Sequence, residues 1–288
     1  MLGQLLVSGL TLGSIYALTA LGFAVIYRAT EVANFSQGEM MMLAAMIALV
    51  LYRDAHLPYL IVIATALAAC LVVAFLIERV AFRPLLGAPH ISVLLSTAAV
   101  AQIIRSGVRV FHGNDLGVFP AIVSMAPIAV LGIHFTALNI VVIAFTIVTL
   151  IAFALLFNRT RIGWAMQATV QNARGAALVG IDVPRVLSIT WVIAGGLAAI
   201  AGLLVAPLII VTPDMGVIAN KGFVAAILGG FSSLPGAVLG GFVLGLAENL
   251  IAVYVTSSFK DVLVFVLLIL LLLLRPSGLF GRKQLTRV

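Results

Sequence analysis

Charge is what this chain has least of. Asp, Glu, Lys and Arg together make up 9% of its 288 residues, where a soluble domain carries about 25%. Uncharged runs reach 27 residues (1–27), 43 (116–158) and 28 (186–213). A spanning helix needs roughly 20 apolar residues, so the scarcity excludes a soluble protein and predicts an all-α, polytopic membrane protein. Cysteine is nearly absent too. Cys70 stands alone in an apolar run, which excludes an intrachain disulfide and a multi-cysteine metal site.

Chemistry-bearing motifs are equally thin. His56, His90, His112 and His134 are scattered near span ends and fit no metal-ligand spacing. HEXXH, GxSxG and paired-carboxylate helices do not occur, so the sequence does not read as an enzyme and no metal ligand is assigned. G-x-x-x-x-G-K-[ST] is missing as well, and no polar stretch is long enough for a nucleotide fold. The chain therefore needs no cofactor of its own, and energy for any pumping has to come from another chain or a gradient. Sixteen Lys and Arg against nine Asp and Glu leave +7. The basic residues lie beside apolar runs rather than along an aromatic-lined groove, which favours topology and membrane lipid over nucleic acid.

What is present is a series of spans. The opening MLGQLLVSGL lacks a basic stretch and runs on apolar to residue 27, which predicts a retained first span over 4–27. After Glu39, only thirteen apolar residues (40–52) precede Arg53. They rise ~20 Å, short of the ~30 Å hydrocarbon core. The second span must then take in 34–39 and carry polar groups to membrane depth. Further spans are predicted over 58–77, 91–111, 136–157, 186–208, 236–255 and 257–274, with 112–135 a broken external loop. Gly195, Ala198, Ala199 and Gly202 give the 186–208 span small-xxx-small spacing for close helix contact. Residues 216–236 form a short, discontinuous segment, so the expected total is about 8–9 transmembrane segments.

The longest polar interruption is NRTRIGWAMQATVQNARGAALVGIDVPR, 158–185. It holds Arg159, Arg161, Arg174 and Arg185 against one acid, Asp182. Ile162, Met166, Val170, Ala173 and Ala177 fall at i, i+4, i+8, i+11 and i+15, one apolar stripe of a helix. Gly163 and Gly175 weaken a continuous helix, while Gly180 and Pro184 stop it. One or two short helices lying across a membrane face are expected. They would serve as a docking platform or as a linker resting on lipid. Placing this platform and the C-terminus inside puts eleven of the sixteen basic residues on that side, the arrangement that a cytoplasmic platform predicts.

Four stretches in order carry a resemblance that covers nearly the whole chain. They are GLTLGSIYALTALGFAVIY (9–27) running into NFSQGE (34–39), RIGWAMQATVQNARGAALVGIDVPRV (161–186), FVAAILGGFSSLPGAVLGGFVLGLAENL (223–250) and RPSGLFGR (275–282). The chain resembles the integral-membrane permease subunits of branched-chain amino acid ABC importers, in the form of the shorter of two paralogous permeases. Such permeases commonly read NFAHGE where this chain has Ser36 and Gln37.

The resemblance implies a single transmembrane permease domain over 1–288 in a bacterial inner membrane, with 158–185 as its coupling loop. It implies a paralogous permease partner, two cytoplasmic ATPases that hydrolyse the ATP, and an extracytoplasmic substrate-binding protein. It places Ala173, Ala177, Gly180, Ile181 and Arg185 in the segment that docks on an ATPase, with the platform cations Arg161 and Arg174 beside them. It places Asn34, Ser36, Gln37 and Glu39 along the substrate path.

The residues themselves leave alternatives open. A carboxylate at a helix centre costs about 2.5–3.5 kcal/mol, so Glu39 should face water or the bundle interior. It can hydrate a path, bind a substrate ammonium, cap a broken helix, or sit at the cytoplasmic end of its span. Lys221 and Glu248 can form an intramembrane pair, or the lysine can snorkel to the surface. Urea or short amides are alternative cargoes within the same architecture. A self-sufficient channel or an ion-coupled carrier is the rival of another class, since carriers also use discontinuous helices.

Overall fold

In the computed structural model the described residues are 2–113, 116–123, 126–130, 133–255 and 259–281. Among them the long apolar runs are helical. They give α1 (Leu2–Thr30), α2 (Gln37–Arg53), α3 (Tyr59–Ile77), α4 (His90–His112), α5 (Ala137–Arg159), α6 (Arg161–Gln171), α7 (Ala173–Leu178), α8 (Val183–Val205), α9 (Ile218–Gly229), α10 (Leu234–Tyr254) and α11 (Lys260–Leu274). Six of these are long and apolar enough to cross a membrane: α1, α3 with its continuation to Leu85, α4, α5, α8 and α10. The others of apolar character are shorter, at 17 residues for α2, 12 for α9 and 15 for α11. The protein is an all-α, polytopic membrane protein.

The stretch 112–135, expected as a broken external loop, contains a small hairpin. Strand β1 (Pro127–Val130) pairs antiparallel with β2 (Ile133–Thr136), Ile128 opposite Phe135. Pro127 sits at the end of its strand, where a missing N–H costs the ladder least. The basic tail residues Arg282, Lys283 and Arg287 lie outside the described residues.

The chain divides into two compact units. The first comprises 1–24, 121–146 and 219–288. Its helices meet through glycine. A side chain at Gly241 would strike the backbone of Ala17, and one at Gly245 the backbone of Gly13. Gly240 is blocked in the same way by the Ala225 carbonyl. Lipid supplies no hydrophobic drive between helices, so backbone-to-backbone approach of this kind is what holds them.

The second unit comprises 25–120 and 147–218. Here α8 is the hub, packing on α2 and α3. The small-residue stripe read from the sequence lies on those contacts. A Cβ at Gly195 would meet the Ala74 methyl, and one at Gly202 the Met41 carbonyl. A second contact layer joins Ile26, Phe82, Val100, Trp191 and Ala194, with the Phe82 and Trp191 rings stacked at 4.0 Å. By contrast α4 is largely uncovered, with Ile103, Val110 and Phe111 at 70%, 80% and 83% exposure.

Candidate functional site

The NFSQGE segment is the most polar part of the second unit's interior. Helix α1 stops at Thr30, and the chain returns to helix only at Gln37. Asn34 causes the delay. Its Oδ1 accepts from the Ser36 N–H at 3.0 Å and from the Ser36 hydroxyl at 2.6 Å, a local turn that competes with helix. The Phe35 N–H donates to Thr97 Oγ1 at 3.2 Å, and Gln37 Nε2 donates to the Ala194 carbonyl at 2.9 Å. Asn34, Ser36, Gln37 and Glu39 are all buried, at 3% exposure or less. Irregular backbone at membrane depth is tolerated only when protein covers it, and here it does.

The apolar-run argument required the second span to take in 34–39, and these contacts show where that polar start sits. Ala194, which bonds Gln37, is the midpoint of α8 (Val183–Val205). Helix α2 therefore begins about halfway along its neighbour. The thirteen apolar residues belong to a 17-residue helix whose polar first turn is buried against α8.

Glu39 forms an ion pair with Arg105 of α4 through Oε1. Its carboxylate also lies against Gly216, where an added Cβ would be 3.0 Å from Oε1. Two atoms of this pair are buried without a hydrogen-bond partner, Glu39 Oε2 and Arg105 Nε. One turn further along α4, Arg109 pairs with Asp214 at 2.6 Å, in more exposed surroundings. Arg105, Arg109, Asp214 and Gly216 escaped the sequence reading. A signal was there: two arginines at i and i+4 in a span with no acid on their own helix require a carboxylate from elsewhere.

A second carboxylate cluster stands in the first unit. Lys221 Nζ lies 2.5 Å from Glu248 Oε1, Tyr16 Oη donates to Glu248 Oε2 at 2.8 Å, and Lys260 approaches to 3.8 Å. Glu248 is 3% exposed, so the carboxylate is fully enclosed but supplied with donors. Another buried acid, Glu78, accepts from the Ser188 hydroxyl at 2.7 Å.

The platform is two short helices that follow directly on α5. Thr160 caps α6 by accepting from the Gly163 N–H at 3.1 Å. Gln167 Nε2 and Trp164 Nε1 reach back to the carbonyls of Phe157 and Asn158 at 2.6 and 3.0 Å. Gly163 allows the fold-back, because a Cβ there would overlap the Phe157 carbonyl. Arg28 lies over the Phe157 ring at 5.8 Å from its centre. The break between α6 and α7 falls at Asn172, not at a glycine. Asn172 is extended, and its Oδ1 caps α7 through the Gly175 N–H at 2.9 Å. Gly180, at φ +86°, then turns the chain, and Asp182 caps α8 at the Arg185 N–H.

The break at Asn172 overturns the continuous apolar stripe. It resets the helical phase, so the buried face comprises Gly163, Met166, Thr169 and Ala176. Ile162 is 45% exposed, and Ala173 and Ala177 face out. Arg161, Arg174 and Arg185 are exposed, Ile181 is half-buried, and Gly180 has nothing within 4 Å of its Cβ position. The chain thereby presents Leu178 and Val179 at 89% and 78% exposure, an apolar tip that the sequence reading missed. Among the described residues no three His, Cys, Asp or Glu gather as a metal site would require.

Comparison with known proteins identifies the family. Residues 5–272 match the family described as branched-chain amino acid transport system / permease component. The high-affinity branched-chain amino acid transport system permease protein LivH of Salmonella typhimurium is 32% identical, over 99% of this chain and 97% of the relative. The permease protein BraD of Pseudomonas aeruginosa is 32% identical over the same shares. A probable LivH permease of Methanocaldococcus jannaschii is 28% identical over 93% of this chain and 89% of its own. No solved structure matches the chain significantly. With a family match over nearly every span and relatives collinear from end to end, the chain belongs to the permease components of branched-chain amino acid transport systems.

Proposed function

We propose that this chain is one of two paralogous permease subunits of a bacterial ABC importer for branched-chain or related small amino acids. In this reading 1–288 is one permease domain in the inner membrane, with the C-terminus inside. A soluble binding protein delivers substrate from outside. Two ATPases dock on 158–185 and hydrolyse the ATP, and nucleotide binding biases a two-state bundle between its openings. Asn34, Ser36 and Gln37 shape the broken start of α2, and Glu39 faces the path. Lys221 and Glu248 hold the first unit together. Relatives named as branched-chain amino acid permeases support the cargo.

The observation that carries the reading is the apolar tip on the α6–α7 platform. Leu178 and Val179 project beside Ala173, Ala177 and Arg174 from a segment braced by two caps. An exposed apolar pair on a rigid, basic mount suits a helix-in-groove contact with a soluble partner. Leu178→Asp is expected to abolish ATP-driven uptake of L-leucine and co-purification of the ATPases, since a carboxylate cannot enter an apolar groove unpaired. Membrane insertion should be unchanged, because Leu178 is 89% exposed and lies outside the six long apolar helices. Uptake and pull-down both at parental levels would show the platform to be a linker resting on lipid.

A further inference from the structure

A groove of about 440 Å³ lies where the C-terminal end of α3 meets the N-terminal end of α8, just past the platform. Its chemistry changes along its length. Arg83, Asp182 and Arg185 line it at the helix ends, while Phe75 of α3 and Ile189, Val192 and Ile193 of α8 line the rest. Phe75 precedes Arg83 by eight residues, and Ile193 follows Arg185 by eight. Eight residues rise about 12 Å. Both helices thus put an arginine at the same end of the groove and apolar side chains deeper in the span.

The positive charge at that end is uncompensated. Among the described residues neither guanidinium forms an ion pair. Arg83 is half-buried and Arg185 exposed, so an incoming group can reach both. Asp182, the one acid in the lining, caps α8, its Oδ1 accepting from the Arg185 N–H at 3.1 Å. Ser188 donates its hydroxyl to Glu78 Oε2 at 2.7 Å, and Glu78, at 2% exposure, is not part of the lining. The groove therefore offers two cations against one anion. A small soluble anion would pair the arginines but leave the apolar wall uncovered. An apolar helix would do the reverse. A molecule with a phosphate at one end and hydrocarbon directly behind it satisfies both.

We infer that this groove seats one phospholipid of net negative charge, its phosphate on Arg83 and Arg185 and the start of an acyl chain along Phe75, Ile189 and Val192. Headgroup charge supplies the selectivity. A zwitterionic lipid brings an ammonium of its own to two guanidinium groups, and an anionic one does not. The site goes beyond the permease reading and does not depend on its cargo. It gives Arg185 a lipid phosphate, while Leu178 and Val179 remain the apolar tip offered to a soluble partner.

Native mass spectrometry of the full chain in non-ionic detergent tests the site, with dioleoyl phosphatidylglycerol titrated beside dioleoyl phosphatidylcholine. The first phosphatidylglycerol is expected to bind with an apparent Kd about tenfold lower than that of phosphatidylcholine, the scale that one or two arginines near a headgroup supply. Arg83→Gln with Arg185→Gln should erase the preference, and lysine at both positions should keep most of it. Phosphatidylcholine binding, unchanged across these variants, reports an intact groove. Arg159→Gln with Arg275→Gln removes two exposed arginines that do not line the groove and should leave the preference whole. A preference that survives in the Arg83–Arg185 variant overturns the site, as does one lost equally in the Arg159–Arg275 variant, which would reduce it to overall charge. Displacement of the lipid by excess inorganic phosphate would make this a site for free anions. Its displacement when the ATPases join the complete transporter would make the groove a protein contact. Either result also overturns the inference, and neither touches the permease reading, which L-leucine uptake tests separately.

Discussion

Glu39→Leu is expected to destabilise the second unit by about 3 kcal/mol, because it strands the Arg105 guanidinium without its counter-ion. The value sits at the low end of the range for a broken buried pair, since the Arg105 side chain keeps 28% of its exposure and reaches some water. The partner explains why loss of charge here is not neutral: Glu39 is 4% exposed at its side chain, and the next acid along α4, Asp214, is engaged by Arg109. Adding Arg105→Met should recover most of the loss, as apolar replacement of a whole buried pair often does. Thermal unfolding of the purified chain in detergent measures both. Transport should stay absent in the double variant, because stability returns and the charged pair proposed to face the path does not. A double variant no more stable than Glu39→Leu alone would show that the two side chains are not energetically coupled.

Gly202→Val is expected to be at least as damaging, by a different route. The position faces the Met41 backbone carbonyl so closely that a Cβ would overlap it. Overpacking ordinarily costs about 1–3 kcal/mol, but here the obstacle is the backbone of another helix and has no rotamer to move into. Helices α2 and α8 must separate, which also pulls Gln37 from the Ala194 carbonyl and opens the buried polar turn. The expected result is loss of monodisperse protein on size-exclusion chromatography. Gly107→Ala provides the opposite sign from nearly the same chemistry. Nothing lies within 4 Å of its Cβ position, and alanine favours helix over glycine by about 1 kcal/mol, so the midpoint of thermal unfolding should rise.

The contrast between those two glycines marks what could be read from sequence. Span positions followed from charge-free runs alone, since hydropathy periodicity is unnecessary when nearly every residue is apolar. The small-residue spacing at Gly195 and Gly202 identified a close contact but not its partners, which depend on tertiary arrangement. The thirteen-residue apolar run after Glu39 signalled an unusual helix, and its explanation needed Ala194 and Thr97 from distant spans. The platform's two helices were legible in outline. Its faces were not, because a single capping residue, Asn172, shifts the phase by enough to turn Ala173 and Ala177 outward and bury Ala176. N-A-R-G has the spacing of an N-cap motif, Asn at the cap and a free N–H three residues on, so the signal was local and available. The partner of Arg105 was not: that pair joins residues from separate helices.

The central claim is that this chain forms part of a path but does not power it. Liposomes containing the chain alone, with an imposed proton or sodium gradient, test it most directly. They should show no ATP hydrolysis and no concentrative uptake of L-leucine, and both should appear together once the paralogous permease, the ATPases and the binding protein are added. Concentrative, gradient-driven uptake of L-leucine by the isolated chain would contradict the account.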